Sequence, residues 1–185
     1  MRSWTRRQPA ELEAVKRTGF LKTATAKADL DPLVAYDWMA NQLRVRIGHL
    51  PSNVTYPIWV WKYCYGTFKP RPDLRTRCLL PKGTAGVLLE LDLPENQVLL
   101  SNFDAWHAIL NNHHYSPNDA EYEKIEALSA LKSSNHPDLI QLKKASWERI
   151  FDLSLIPDPA TYAVQGVVWQ VPIESIKKTT FFTAK

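Results

Sequence analysis

Asp104 and His107 are the residues of this 185-residue chain that most readily suggest chemistry, in the run from Ser101 to Asn111. On a helix, two residues three positions apart share one face. A carboxylate beside an imidazole can orient a general base or support a metal ligand. The pair is also typical of a plain helix start, where the dipole stabilises the acid and the histidine only pairs with it. Both interpretations stay open from the sequence.

Histidines cluster in the same region, where His107, His113 and His114 follow Asp104 within ten residues. Such a group suggests zinc, whose protein ligands are nitrogen, sulfur and carboxylate oxygen. No two of these histidines have the four-residue spacing that brings two ligands together on a helix. We therefore expect no metal, and we interpret His113 and His114 as part of a solvated loop.

Aromatic residues alternate in the run from Tyr56 to Tyr63, which is typical of a strand. Trp59 and Trp61 share one face of that strand, and Ile58 and Val60 share the other. An exposed tryptophan face can stack on a nucleobase or a nicotinamide ring. The same stripe is also typical of a sheet face that packs under a helix.

A run from Lys69 to Arg77 is rich in proline and arginine. Guanidinium and ammonium groups bind phosphate well, so Arg71 and Arg75 are candidates to contact a pyrophosphate or a nucleic-acid backbone. The alternative is a solvated loop in which Asp73 pairs with its neighbours.

Composition limits the class of protein. The length predicts a single domain over residues 1–185, and the net charge of +4 tolerates an anionic ligand without requiring nucleic acid. Cys64 and Cys78 lack paired spacing, so we expect reduced thiols and a cytoplasmic protein. No apolar run approaches the roughly 20 residues of a membrane helix. The absence of a Gly-x-Gly-x-x-Gly run argues against a dinucleotide-binding α/β domain.

The hydrophobic patterns predict an α+β fold with a mixed or antiparallel sheet flanked by helices. Strands are predicted at 3–6, 20–21, 56–63, 86–93, 98–100, 164–171 and 179–182. Helices are predicted at 8–19, from Asp31-Pro32 to Gly48, and at 103–111, 120–131 and 138–151. We expect Val34, Trp38 and Leu43 to face inward from the second helix, and Leu139, Leu142 and Trp147 from the last.

The segments near the two ends of the sequence, Arg2–Arg6 and Ala163–Pro172, both look like strands. We expect them to lie side by side in one sheet and to shape a cleft that Thr5 and Gln165 both face.

Motifs along nearly the whole chain resemble those of an uncharacterised bacterial family, a domain of unknown function. The resemblance lies in runs such as Tyr36-Asp37-Trp38-Met39, Leu100-Ser101-Asn102-Phe103-Asp104-Ala105-Trp106-His107 and Gln165-Gly166-Val167-Val168-Trp169. It implies no activity.

A second resemblance carries chemistry. The opening Ser3-Trp4-Thr5-Arg6, followed by Gly19-Phe20-Leu21, is similar to the start of the DNA-targeting ADP-ribosyltransferase toxins, and Val164–Pro172 is similar to their closing catalytic strand. The resemblance implies a split antiparallel sheet that grips NAD and passes ADP-ribose to a nucleophile. It also implies a toxin or a phage-defence component.

The chain departs from that family at two positions. Thr5, with Arg6 beside it, stands where those enzymes carry His or Arg, and Val167, near Gln165, stands where they carry the catalytic Glu. A glutamine can hydrogen-bond to a ribose but supplies no charge. The chain therefore binds a nucleotide without turnover or uses another acid such as Asp104.

The resemblance implies the following roles. Thr5 and Arg6 contact the adenosine half, Trp59 or Trp61 stacks on a ring, Arg71 or Arg75 meets phosphate, Gln165 sits at the ribose, and Asp104 with His107 is a reserve acid–base pair. We thus expect an ADP-ribosyltransferase-like protein that binds NAD or another nucleotide. The alternatives are a nucleic-acid-binding module that uses the Lys69–Arg77 loop and the Trp59/Trp61 face, and a protein-interaction domain.

Overall fold

The computed structural model describes residues 1–23, 33–48, 51–52, 54–76, 80–133 and 136–185. Its strands are β1 (Arg2–Arg7), β2 (Phe20–Leu21), β3 (Ile58–Tyr63), β4 (Ala85–Asp92), β5 (Leu99–Asn102), β6 (Val164–Val168), β7 (Val171–Pro172) and β8 (Ile176–Thr183). Its α-helices are α1 (Pro9–Thr18), α2 (Leu33–Arg46), α3 (Phe103–Leu110), α4 (Asp119–Leu131) and α5 (Pro137–Trp147).

Six of the strands form one antiparallel sheet in the order β5-β6-β3-β1-β4-β8, and β2 pairs with β7 in a small second sheet. The predicted α+β class is therefore confirmed, and the sheet is antiparallel. Strands β1 and β6 belong to the same sheet, but β3 lies between them. The expectation that the two segments lie side by side is wrong in this respect, because each pairs with β3 instead of with the other.

The large sheet buries a different core on each face, because successive side chains of a strand point to opposite faces. One core packs α1, through Leu12 and Val15, against Ile58 and Val60. The other packs α2, α3 and α5 against the opposite face, where Val167 and Trp59 lie. The predicted division of the β3 side chains between two faces is confirmed.

Local signals fix two helix starts next to the sheet. Gln8 caps α1 in a reciprocal capping box with Glu11, and Pro9 occupies the first turn, where its missing N–H costs nothing. The side chain of Asn102 accepts hydrogen bonds from the N–H groups of Asp104 and Ala105 and so starts α3. Both starts agree with the prediction from the sequence.

Two predictions about burial need correction. Val34 is 67% exposed, because the inner face of α2 is formed one position later by Ala35, Met39 and Leu43. Leu142 is 42% exposed, because α5 buries only Ser146 and Trp147 near its end.

The predicted strand at 164–171 is interrupted at Trp169, whose indole N–H donates to the carbonyl of Gly48 at 3.0 Å. The predicted helix start at Asp31-Pro32 lies outside the described residues, as does Cys78. Within the described part of the chain, no helix has both the length and the apolar character to cross a membrane.

Candidate functional site

The large sheet splits between β1 and β3. Strand β1 pairs with β4 along its whole length, from Arg2 opposite Asp92 to Arg7 opposite Val87. With β3 it shares a single register pair among the described residues, Trp4 opposite Trp61. Beyond that pair, the side-chain hydroxyl of Thr5 donates to the backbone carbonyl of Trp59 at 2.9 Å and so links the two strands.

A cleft of about 260 Å³ opens where β1 and β3 separate, and we call it the split cleft. It is lined by Thr5, Arg6, Arg7, Trp59, Val60, Trp61, Leu80 and Gln165. Five of the residues predicted to form the nucleotide site, namely Thr5, Arg6, Trp59, Trp61 and Gln165, are therefore in one place. The expectation that the two segments shape one cleft agrees with this geometry, although β3 contributes its centre.

Gln165 carries the most informative polar group of the split cleft. It lies opposite Trp61 on one side and opposite Ser101 on the other, so the three side chains share a face of the sheet. The residue is 5% exposed, and its amide Nε2 has no hydrogen-bond partner among the described residues. A buried amide without a partner costs about 1–3 kcal/mol. Val167, two residues on, is fully buried in the core and does not line the cleft.

Arg7 is a cleft residue that the sequence did not single out. Its side chain is 18% exposed, and its Nη1 lies 3.9 Å from Oε1 of Glu11, beyond hydrogen-bond distance. Burial lowers the pKa of the Arg7 guanidinium, and the Glu11 carboxylate partly offsets that effect. An arginine remains charged at such a site. Together with Arg6 it gives the cleft a positive wall.

One sequence signal points to Arg7 after the fact. Ser3, Thr5 and Arg7 alternate along β1, and the first two are fully buried. An arginine that continues a buried face is therefore expected to be at least partly buried.

The aromatic residues of the cleft have different environments. Trp59 packs its ring 4.9 Å from Trp106 and 6.2 Å from Tyr36, so the helices cover much of it. Both residues are partly exposed, but Trp61 has one ring contact among the described residues, with Phe103 at 4.8 Å between centroids, where Trp59 has two. Trp61 is accordingly the better placed of the two to meet a ligand ring.

A basic groove of about 1060 Å³ adjoins the split cleft, because Leu80 lines both. Its charged lining residues are Arg75, Lys82 and Lys185. Lys69 and Arg75 both bind the Asp73 carboxylate, at 2.9 and 2.8 Å. Arg75 and Lys69 thereby hold the pKa of Asp73 far below its usual range. Arg71 is exposed and does not line either cavity.

Asp104 and His107 lie away from the split cleft. Both are exposed on α3, and the ring Nδ1 of His107 contacts the carbonyl oxygen of Phe103 at 3.1 Å. His107 instead lines a pocket of about 620 Å³ between α3, α4 and α5, together with His113 and His114. We call this the helical pocket. It is larger than the split cleft, but it does not contain the predicted nucleotide residues.

Carboxylates are not part of the described lining of the split cleft. Glu90 lies in the same transverse row of the sheet, opposite Trp4, but it binds Arg2 at 2.9 Å and accepts from the Trp4 indole. The Arg2 contact lowers the pKa of Glu90. Among the described residues there is also no group of three or more His, Cys, Asp or Glu placed to hold a metal ion.

Comparison with known proteins finds one family. A family model described as a domain of unknown function (DUF3841) matches residues 2–177 of the 185, which includes every lining residue of the split cleft. No curated protein and no solved structure matches the chain. The predicted membership of an uncharacterised domain family of near full length is confirmed.

Proposed function

The chain belongs to the DUF3841 family, and we propose that its split cleft binds NAD or a closely related nucleotide, as an ADP-ribosyltransferase-like protein. The observation that carries the proposal is the buried amide of Gln165, which lines the cleft and has no partner among the described residues. A ligand hydroxyl or carbonyl that bonds this amide would remove the cost of its burial. A ribose hydroxyl has that chemistry.

The walls of the cleft support a ligand that has both a ring and an anionic group. Trp61 offers a partly exposed ring, and stacking is worth about 1–3 kcal/mol per base. Arg6 and Arg7 offer guanidinium groups, which suit phosphate. A nucleotide supplies both features in one molecule.

Size supports a ligand that is only partly enclosed. Small-molecule pockets commonly measure about 300–1,000 Å³, so a cleft of about 260 Å³ holds one ring and its sugar. The remainder would extend past Leu80 into the basic groove, where Arg75 and Lys82 line the wall. This continuity favours a dinucleotide over a free nucleoside.

The residues that line the split cleft can bind and orient a ligand. Among the described lining residues there is no carboxylate, which is the charge that the resemblance to ADP-ribosyltransferases assigns to a catalytic Glu. Bound NAD would supply a transferable ADP-ribose. Gln165 can donate to a sugar but cannot stabilise an oxocarbenium-like state by charge. The proposal is therefore nucleotide binding, with transfer dependent on an acid from outside the cleft lining.

A thermal-shift titration with NAD tests the proposal. Ligand at a hundredfold over its Kd stabilises a protein by about 2.7 kcal/mol, so the unfolding midpoint should rise. Trp61→Ala should weaken binding by about 5- to 100-fold through lost stacking. Gln165→Ala should weaken it by about 2- to 10-fold. No shift in the unmutated protein, or equal shifts in all three, would refute the proposal.

Nucleic-acid binding is the second candidate, and the basic groove is the observation that favours it. Its loop is less basic than the sequence suggests, because Asp73 neutralises part of Lys69 and Arg75. Binding of a polyanion falls steeply with salt, whereas NAD binding in a small cleft should change little. Repeating the titration at two salt concentrations with NAD and with a single-stranded oligonucleotide separates the two functions.

A further inference from the structure

The helical pocket contains a relay of three side chains that the nucleotide proposal does not use. The hydroxyl Oγ of Ser116 lies 3.1 Å from Nδ1 of His114. The other ring nitrogen of His114, Nε2, lies 3.7 Å from Oε1 of Glu121. A hydroxyl in hydrogen-bond contact with an imidazole that faces a carboxylate is the geometry of an activated nucleophile.

The neighbouring elements hold the relay in place. Arg149 donates to the same Glu121 oxygen at 2.6 Å and so orients the carboxylate. The loop that carries His114 is tied to α5, because the Trp147 indole donates to the carbonyl of His113 at 2.7 Å. The backbone N–H of Tyr115 donates to Ser146 at 2.9 Å. The histidine is therefore fixed from both sides.

The state of His114 suits a general base. Its side chain is 10% exposed, and burial lowers its pKa, with Glu121 acting in the opposite direction and Arg149 in the same direction as burial. At neutral pH the ring is accordingly neutral and can accept a proton. The Glu121 carboxylate then faces the imidazolium that forms.

Ser116 and His114 also open onto a space that can receive a substrate. Both line the helical pocket, whose volume of about 620 Å³ falls within the range of about 300–1,000 Å³ for small-molecule sites. Ile125, Leu139 and Leu142 give it an apolar wall. Glu126 and Lys143 also line the pocket, but apolar surface predominates, so the lining fits an acyl chain better than it fits a charged group.

We propose that Ser116 is a nucleophile activated by His114, in a site that hydrolyses apolar carboxylic esters. Ser116 Oγ bonds to the ester carbonyl carbon while His114 takes the hydroxyl proton. The bond from that carbon to the alcohol oxygen breaks, and the alcohol leaves with the proton from His114. Water then attacks the serine ester, gives its proton to His114, and releases the acid as Ser116 regains a proton.

A fluorophosphonate probe tests the nucleophile directly. Its phosphorus should bond to Ser116 Oγ as fluoride leaves, which adds one probe mass to the intact protein. Peptide mapping should place that adduct on Ser116. His114→Gln should slow labelling by about 100-fold or more, since a general base contributes that much. Ser116→Ala should abolish labelling.

Ser154→Ala is the matched control, because Ser154 is an exposed serine outside the pocket whose hydroxyl also donates to a side chain, that of Asp152. It should label at the unmutated rate and hydrolyse p-nitrophenyl butyrate equally fast. Circular dichroism of each variant establishes that it is folded. An adduct elsewhere, labelling that survives Ser116→Ala, or folded unmutated protein that neither labels nor hydrolyses the ester would overturn the proposal.

Discussion

The split cleft and the helical pocket differ in what builds them. The split cleft lies between strands that are each paired on their outer side, β1 with β4 and β3 with β6, so backbone hydrogen bonds fix its walls. The helical pocket lies against α4, which has no buried residue in the described chain, and against the more exposed part of α5. The split cleft is therefore the better preorganised site. The helical pocket is larger, but the elements around it are less firmly packed.

Their chemistry differs in the same way. Arginine side chains line the split cleft together with an amide that has no partner among the described residues. The helical pocket is lined by His114, which is neutral, by Ser116 and by mostly aliphatic side chains, with Glu126 and Lys143 among them. Hence an anionic, sugar-bearing ligand suits the first and an apolar ester suits the second. The comparison shows that cavity size alone does not decide which cavity suits a nucleotide.

The largest expected effect concerns Gly66, in the turn that follows β3. Gly66 has φ +74°, and an added Cβ would lie 1.9 Å from the carbonyl oxygen of Ala160. Gly66→Ala should therefore lower the free energy of unfolding by about 3 kcal/mol, from left-handed strain and backbone displacement. Chemical denaturation measures the change.

Gly83→Ala is its control, since Gly83 has φ +83° with open space around it. It should cost only about 1 kcal/mol from the strain alone. Equal losses for the two variants would show that the close approach to Ala160 adds nothing to the cost of the substitution.

Two buried glutamines, one on each side of the comparison, should give the next largest changes in stability when they are replaced by leucine. Gln42 on α2 donates to Glu148 at 2.6 Å and accepts from Arg46 at 3.0 Å, so Gln42→Leu should cost about 2 kcal/mol. The Gln165 Nε2 has no partner among residues that the structure describes, so Gln165→Leu should leave stability unchanged or raise it by about 1 kcal/mol. Urea denaturation of both variants measures the two changes in the free energy of unfolding. A large loss at Gln165 would mean that its amide serves the fold and not a ligand.

Replacing Tyr56, which bonds to Asp37 on α2, should have a smaller and pH-dependent effect on stability. The Tyr56 hydroxyl donates to Asp37 at 2.8 Å, and burial together with that bond raises its pKa to about 12. Because the folded state holds the proton more tightly, its contribution is complete below the unfolded pKa of about 10 and is lost as pH rises towards about 12. Tyr56→Phe should cost about 1 kcal/mol at pH 7.

The same variant checks the sign of that pH dependence. The stability gap between Tyr56→Phe and the unmutated protein should close between pH about 10 and about 12, measured by denaturant titration at each pH. A gap that widens with pH would contradict the assignment.

The smallest expected effect lies beside the basic groove, where Arg75 is bound by Asp73. Asp73→Asn removes the charge that occupies Lys69 and Arg75. NAD affinity should then rise by about two- to threefold at low salt, the scale of one charge in water, and the gain should fade at high salt. Calorimetric titration at two salt concentrations measures it. Unchanged affinity at low salt would remove the basic groove from the binding site.

The features that could be predicted from the sequence are those that depend only on residues close together in the chain. The alternation of Trp59 and Trp61 with Ile58 and Val60 predicts two faces of β3, because the side-chain period of a strand is fixed. Either Ser101 or Asn102 predicts a helix start at Phe103, because each can bond the free N–H groups of the first turn, and Asn102 is the one that does so. These predictions need no knowledge of the rest of the chain.

The remainder depends on pairings between distant segments. That β3 lies between β1 and β6, and that β1 leaves β3 after one register pair, depends on contacts which periodicity does not encode. Arg7 was missed because an arginine in a strand is ordinarily exposed, whereas here it continues the buried face of Ser3 and Thr5. Asp104 and His107 were predicted as a pair, but His107 contacts the Phe103 carbonyl and faces the helical pocket.

The indole N–H signals in a two-dimensional nitrogen–proton spectrum give the most direct test of the central claim. Trp61 lines the split cleft, whereas the Trp147 indole is bonded to His113 beside the helical pocket. A Trp61→Phe variant assigns the first signal and a Trp147→Phe variant the second. On titration with NAD we predict that the Trp61 signal moves and the Trp147 signal stays. A shift of Trp147 with Trp61 unchanged would contradict nucleotide binding at the split in the sheet.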